Sequence, residues 1–129
     1  MNSFSMNGYI WHVQFVEANS PMLVDRTGTR TVATTDVRTL TVYVVEGLTE
    51  DFLAHVLLHE LGHCALFSFN LLNEIHRMVI PKYWVEAEEW ICNFIADYGY
   101  HIFDSMFHLM GYDAWKCVPY ELDRKLIVA

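Results

Sequence analysis

In VLLHELGHCAL, residues 56–66, two imidazoles and a carboxylate (His59, Glu60 and His63) stand in an otherwise apolar run. Such groups rarely enter a core unless something pairs with them. On a helix, residues four apart lie one turn along and about 40° apart, so His59 and His63 can turn their ring nitrogens to a single ion. Glu60, about 100° round from His59, cannot join them but can reach a water held on that ion. This is the HExxH arrangement of two ligands and a general base. Its flanks, Val56, Leu57, Leu58, Leu61, Gly62, Cys64 and Ala65, are all uncharged, as a buried metal helix requires.

A catalytic zinc needs a third protein ligand and one open position. The candidates are Glu86, Glu88 and Glu89 in WVEAEEWICNFIADYG. Acidic residues in a first helical turn are also what the helix dipole favours, which accounts for at least two of the three. Glu89 stands out because it shares a small or polar stripe with Cys92, Asn93, Ala96 and Asp97. That stripe suits close packing against the metal helix, with Asn93 or Asp97 orienting a ligand histidine through an outer hydrogen bond. Gly62 fits the same picture, since glycine inside a helix costs about 1 kcal/mol relative to alanine and tends to mark close approach of another element. His55 extends the histidine row, but eight helical residues rise about 12 Å, so His55 and His63 cannot share one ion.

These residues resemble the ImmA/IrrE-like metallopeptidases, many of them encoded by phages and prophages. The family pattern is a strand, then HELGH on a helix, then a Glu four residues before an Asn on a following helix. It is matched here at residues 42–45, at 59–63, and at Glu89 with Asn93, Ile95 and Ala96; the likeness spans residues 39–98. The resemblance implies a gluzincin-like minimal core in which His59, His63 and Glu89 bind Zn2+ and Glu60 is the catalytic acid/base. It also implies a protein or peptide substrate, with a repressor as the family expectation. Cys92 stands where the family usually has alanine, and no helix-turn-helix or sensor domain is expected within these 129 residues, so the resemblance does not carry over the family's regulatory behaviour. A fainter echo of the YbeY-type endoribonuclease motif in HLMGYDAW fails, because Asp104 and Ala114 occupy the places of two required histidines.

Length and composition frame this chemistry. The 129 residues are expected to form one domain, 1–129, with a single site. With 53% hydrophobic and 19% charged residues the chain reads as a compact globule. A net charge of -8 argues against a nucleic-acid surface. The start, MNSFSMNGYIWH, lacks the basic and apolar regions of a secretory signal. His55, His59, Glu60 and His63 interrupt residues 52–72 and argue against a membrane span. Three cysteines, Cys64, Cys92 and Cys117, without a CxxC pair fit reduced thiols, and the expectation is a cytoplasmic protein.

The fold class expected is α+β: a small N-terminal antiparallel or mixed sheet of about three strands, then the metal helix and a second long helix. YIWHVQFV alternates as a half-buried strand, and TLTVYVV, residues 39–45, is the strongest strand signal. DRTGTR, residues 25–30, has turn composition between Thr- and Val-rich flanks that read as strands of a hairpin or meander. Thr49 is a candidate cap for a helix running to about Phe69, with Glu50 and Asp51 in its first turn. Asn70 and Asn73 bend or end it, and a short helical piece reaches toward Val79 before Pro81. The second long helix starts near Val85, lines up Trp90, Ile91, Phe94, Ile95, Tyr98 and Ile102 on one side, and ends near Gly111. Gly99 is a candidate kink, and YELDRKLIVA reads as an amphipathic tail.

The activity expected is peptide hydrolysis, with zinc acidifying a water and Glu60 moving its proton to the leaving amine. Tyr98 and His101 are candidate oxyanion donors, with Tyr83 and Tyr100 as alternatives that sequence does not separate. Residues 39–45 would hold an extended substrate if they formed a sheet edge, and would otherwise be a core strand. Two rival expectations stand beside this one. An interaction protein could keep the zinc for stability and use its aromatics, Trp84, Trp90 and Trp115 among them, for a partner. A structural four-ligand site using Cys64 or Cys92 would leave Glu60 idle.

Overall fold

The computed structural model describes residues 2–117, and these fall into two compact units that divide after Asp97. In the first unit the strands β1 (Ser3–Met6), β2 (Tyr9–Val16), β3 (Ala33–Asp36) and β4 (Thr41–Val45) form a mixed sheet in the order β1-β2-β4-β3. β1 and β2 pair antiparallel, β2 and β4 parallel, and β3 and β4 antiparallel. Three helices follow: α1 (Glu50–Ser68), α2 (Leu72–Met78) and α3 (Trp84–Met110). The α+β class is therefore as expected, with four strands among the described residues instead of three.

The extra strand is β1, and Asn7-Gly8 makes it possible. Both residues have positive φ, +48° and +84°, the conformation a tight two-residue hairpin turn demands and Asn-Gly supplies. The side chain of Asn7 then donates to the Ser68 carbonyl at 2.7 Å, while Trp11 Nε1 donates to Ser68 Oγ at 2.9 Å in the interior. The first hairpin is thus fastened to the last turn of α1. Trp11, Ala33, Val42 and Val44 from the sheet and Val56 and Cys64 from α1 form the core between them. A second cluster joins Leu66 of α1, Ile75 of α2 and Cys92 of α3.

The turn at residues 25–30 is tighter than composition alone requires. Asp25 Oδ1 accepts from the backbone N–H of Thr27 and Thr29 and from the Thr27 hydroxyl, and Gly28 takes φ +83°. Only one flank is a strand, β3. The other carries a short 3-10 turn, Pro21–Leu23, and a single bridge from Val24 to Arg30. Pro21 has no N–H for a ladder, and Ser20 caps the turn by accepting from Met22 N.

The helices end where the chain predicts. Asn70 takes φ +57° just past the C-cap Phe69 of α1, and α2 stops ahead of a 3-10 turn that begins at Pro81. Gly111, at φ +61°, follows the last residue of α3. Thr49 occupies the N-cap of α1 without a side-chain capping bond, and α3 runs unbroken through Gly99. No single helix is long and apolar enough to cross a membrane among the described residues. In the second unit Phe103 packs on Trp115 and Phe107 on Tyr112, at ring separations of 4.8 and 5.6 Å. The tail YELDRKLIVA lies outside the described residues.

Gly62 faces α3. A Cβ there would stand 3.1 Å from Cys92 Sγ, 3.3 Å from Ile95 Cδ1 and 3.4 Å from Cys92 Cα, so α1 and α3 touch where the sequence predicts close approach. Gly62→Ala is expected to lower the urea midpoint. Overpacking costs about 1–3 kcal/mol, more than the roughly 1 kcal/mol of helix propensity that alanine adds. A midpoint at or above that of the wild type would show that the two helices have slack at this point.

Candidate metal centre

α1 is buried on more than one side: Glu60 and Cys64 are inside, and so are Gly62 and Leu66. The HExxH residues therefore sit between the sheet and the start of α3. His59 Nε2 and His63 Nε2 lie 3.2 Å apart, and Glu89 Oε1 lies 3.2 Å from the first and 2.9 Å from the second. These three atoms form a compact triangle of the kind that can hold a metal ion. Bonds of about 2.0–2.1 Å in a tetrahedral site place neighbouring ligand atoms about 3.3 Å apart. A metal ion with bonds of that length thus fits this donor set of one carboxylate and two imidazoles with little movement.

Glu60 takes no part in the triangle. Its Oε1 accepts from Thr35 Oγ1 of β3 at 2.7 Å, and its Oε2 stands 3.9 Å from His59 Nε2. Burial raises its carboxyl above the ordinary range, against the hydrogen bond from Thr35 and the nearby histidines. The groups converge on a cleft of about 880 Å³ that His59, Glu60, His63 and Glu89 all line. β3 and the turn at residues 25–30 form one wall, with Thr35, Asp36 and Arg26 in it; Phe52 and His55 contribute from the first turns of α1.

No known protein family, curated protein or solved structure matches this chain. What the site can do is therefore read from its own atoms.

Glu86, Glu88 and Glu89 separate cleanly in space. Glu86 is exposed, Glu89 completes the triangle, and Glu88 reaches His63 from behind. Its Oε2 lies 2.6 Å from His63 Nδ1, while Arg26 grips the same carboxylate through Nη1 to Oε1 and Nη2 to Oε2, both at 3.1 Å. Burial works to raise the Glu88 pKa, but the bonds from His63 and Arg26 outweigh it and hold the carboxyl low. Hydrogen bonds from His59 and His63 hold the Glu89 carboxyl well below the usual range.

The outer partner of His63 is thus Glu88. Asn93 is exposed, and Asp97 faces His55, whose Nε2 is 3.7 Å from Asp97 Oδ1. Among the described residues no hydrogen bond joins Asn93 or Asp97 to His59 or His63. His55 also stacks on Phe52, in keeping with a neighbour of the site. Tyr98, Tyr100 and His101 belong to the second unit. Tyr83 is exposed in the 3-10 turn before α3. The strand at residues 39–45 has the core role: β4 lies between β2 and β3, and β3 is the edge.

Thr35 and Arg26 were not legible as site residues. Thr35 is one of several threonines in a strand and Arg26 one residue of a turn, and each lies far along the chain from its partner.

Burial pushes the His63 pKa down, but bonding to Cys92, Glu88 and Glu89 overrides it and carries the value up to about 12. Without an ion the ring is therefore protonated at neutral pH, and an ion must displace a proton from Nε2. Zn2+ added to the metal-free protein in weak buffer is expected to bind one to one and acidify the solution. The affinity should rise by roughly tenfold per unit between about pH 6 and about pH 8. Uptake that is absent, or that does not vary with pH, would exclude His63 as a ligand.

Proposed function

We propose that this chain is a zinc metallopeptidase of the ImmA/IrrE-like kind, with His59, His63 and Glu89 as zinc ligands and Glu60 as general base. The observation that carries the reading is the division of labour among the carboxylates: Glu89 sits with the two Nε2 atoms, while Glu60 stands beside them, tied by its other oxygen to Thr35. A structural site has no use for a carboxylate so placed. When bound, zinc supplies Lewis acidity toward a water and a carbonyl at its open position.

The protein's own groups do the rest. Thr35 Oγ1 fixes Glu60 Oε1, so the side chain has one orientation and presents Oε2 toward the ligand set. Oε2 takes the proton of the attacking water and passes it to the leaving amine. The raised Glu60 pKa brings its basicity closer to that of the groups it must deprotonate. β3, at the sheet edge beside Glu60, is the element an extended peptide can follow. Apolar walls from Val37, Tyr43, Phe52 and Val85 give side-chain contacts along the cleft. The substrate class is a protein or peptide.

A second reading, partner binding without proteolysis, draws on exposed apolar surface at Met78, Ile80 and Trp90, which are 72%, 60% and 67% exposed. One substitution separates the two. Glu60→Gln should keep zinc stoichiometry and thermal stability while lowering cleavage of a proteome-derived peptide library by about 10²–10⁴-fold, read by mass spectrometry. Cleavage that survives the substitution refutes Glu60 as the base. A zinc-loaded wild type that cleaves nothing in the library refutes the peptidase reading in favour of the second.

A further inference from the structure

A buried carboxylate that is not a ligand needs its own explanation. Glu88 is 8% exposed, one residue before the proposed ligand Glu89, and a charge there is unfavourable unless fully compensated. Its two oxygens have three donors arranged asymmetrically. Arg26 approaches in the two-pronged manner that fixes the plane of a carboxylate, with Nη1 on Oε1 and Nη2 on Oε2. Oε2 then has a further lone pair for His63 Nδ1 at 2.6 Å. An ionised carboxylate can only accept, so Nδ1 must carry the proton. That leaves Nε2 as the nitrogen directed at His59 and Glu89.

We propose that Glu88 and Arg26 are positioning residues for the metal centre: Arg26 orients Glu88, and Glu88 fixes the ring orientation and tautomer that make His63 Nε2 a ligand. The inference rests on the metal-site reading above. Arg26 is well placed for this because it sits in a hydrogen-bonded turn. It follows Asp25, whose carboxylate gathers the N–H groups of Thr27 and Thr29 and holds the turn closed. The guanidinium is half-exposed in the cleft wall, whereas Glu88 is inside. The turn at residues 25–30 thereby reaches a ligand on α1 through a residue on α3, linking three segments distant in sequence.

The test is Co2+ binding, read by visible absorption and by competition affinity, on the full chain. Relative to wild type, Glu88→Gln should bind Co2+ roughly 10- to 100-fold more weakly, with a shifted ligand-field spectrum. Arg26→Ala should weaken binding in the same direction. Arg26→Lys should recover part of the loss, because a point charge replaces the fork. Placed on the Glu88→Gln background, Arg26→Ala should cost little more, since Arg26 acts through Glu88. Wild-type affinity and spectrum in both single variants would overturn the proposal while leaving the metal site standing. Fully additive losses would overturn the action of Arg26 through Glu88. A wild type that takes up no Co2+ or Zn2+ would overturn the site and this inference together. If Glu88→Gln does not fold, the Arg26 pair decides. Equal weakening in Ala and Lys, or none in either, refutes the relay, and a lowered melting temperature with an unchanged spectrum marks a merely structural pair.

Discussion

The approach of α3 to α1 at Gly62 is the constraint on which the candidate site depends. Two candidate ligands come from one helix and the third from another, and Glu89 reaches both Nε2 atoms only because Cys92, less than a turn further along α3, lies against a residue with no side chain. A larger residue at position 62 would displace α3, and a displacement of about 1 Å is enough to spoil bonds whose tolerance is about 0.2 Å. Cys92 and Ala96 continue the same requirement along α3, being small and buried on the face turned inward. The cost of glycine in mid-helix is thereby tied to the site.

Burying so many polar groups demands full compensation, and the unit supplies it locally. Among the described residues no buried side-chain nitrogen or oxygen lacks a hydrogen-bond partner. Glu60 is satisfied by β3, Glu88 by the turn at residues 25–30, and the pair His63 and Glu89 by each other. The first ties α1 to the sheet, the second ties α3 to the turn beside it, and the third ties the two helices to each other. The polar network therefore specifies a mutual arrangement that apolar packing alone would leave looser. Its low-lying carboxylates and high-lying imidazole reflect their mutual contacts: Glu88 and Glu89 are held as anions by hydrogen bonds from His63, with Arg26 and His59 adding to them, and the same bonds favour a cation at His63.

Much of this was legible in the sequence because it is local. HExxH, the acidic start of α3 and the bounds of α1 and α2 depend on spacing within a few turns, and residues 9–16 carry a period of two. The Asn-Gly turn that creates β1 is equally local, a two-residue hairpin signal beside the longer strand. What spacing could not show was pairing across the chain. Parallel pairing of β2 with β4 makes residues 41–45 interior and gives the edge to β3. The partners of Glu60 and Glu88 arrive from residues 25 and 62 positions away. The small and polar stripe of α3 points to Glu89, which lies with the two histidines, and to Asn93 or Asp97 for the outer hydrogen bond. The geometry gives it to Glu88, since an exposed helical face cannot reach a ring nitrogen turned inward.

The orientation of α3 follows from the same constraint and reverses the usual inference from amphipathicity. A helix normally buries its bulkiest apolar side, and α3 carries Trp90 and Phe94 at helical spacing. Yet Trp90 is 67% exposed, whereas Glu88, Cys92 and Ala96 are the buried positions. Burying a tryptophan is worth more, by area, than burying an alanine, so hydrophobic packing alone would rotate the helix the other way. That rotation would carry Glu88 and Glu89 away from the histidines and leave the two imidazoles beside the cleft without their counter-charges. Compensated polar contacts, together with the close approach permitted by small residues, hold the observed rotation. In this helix the contacts of Glu88 and Glu89 with the histidines and Arg26 set which face turns inward, and apolar surface is left outside as a consequence.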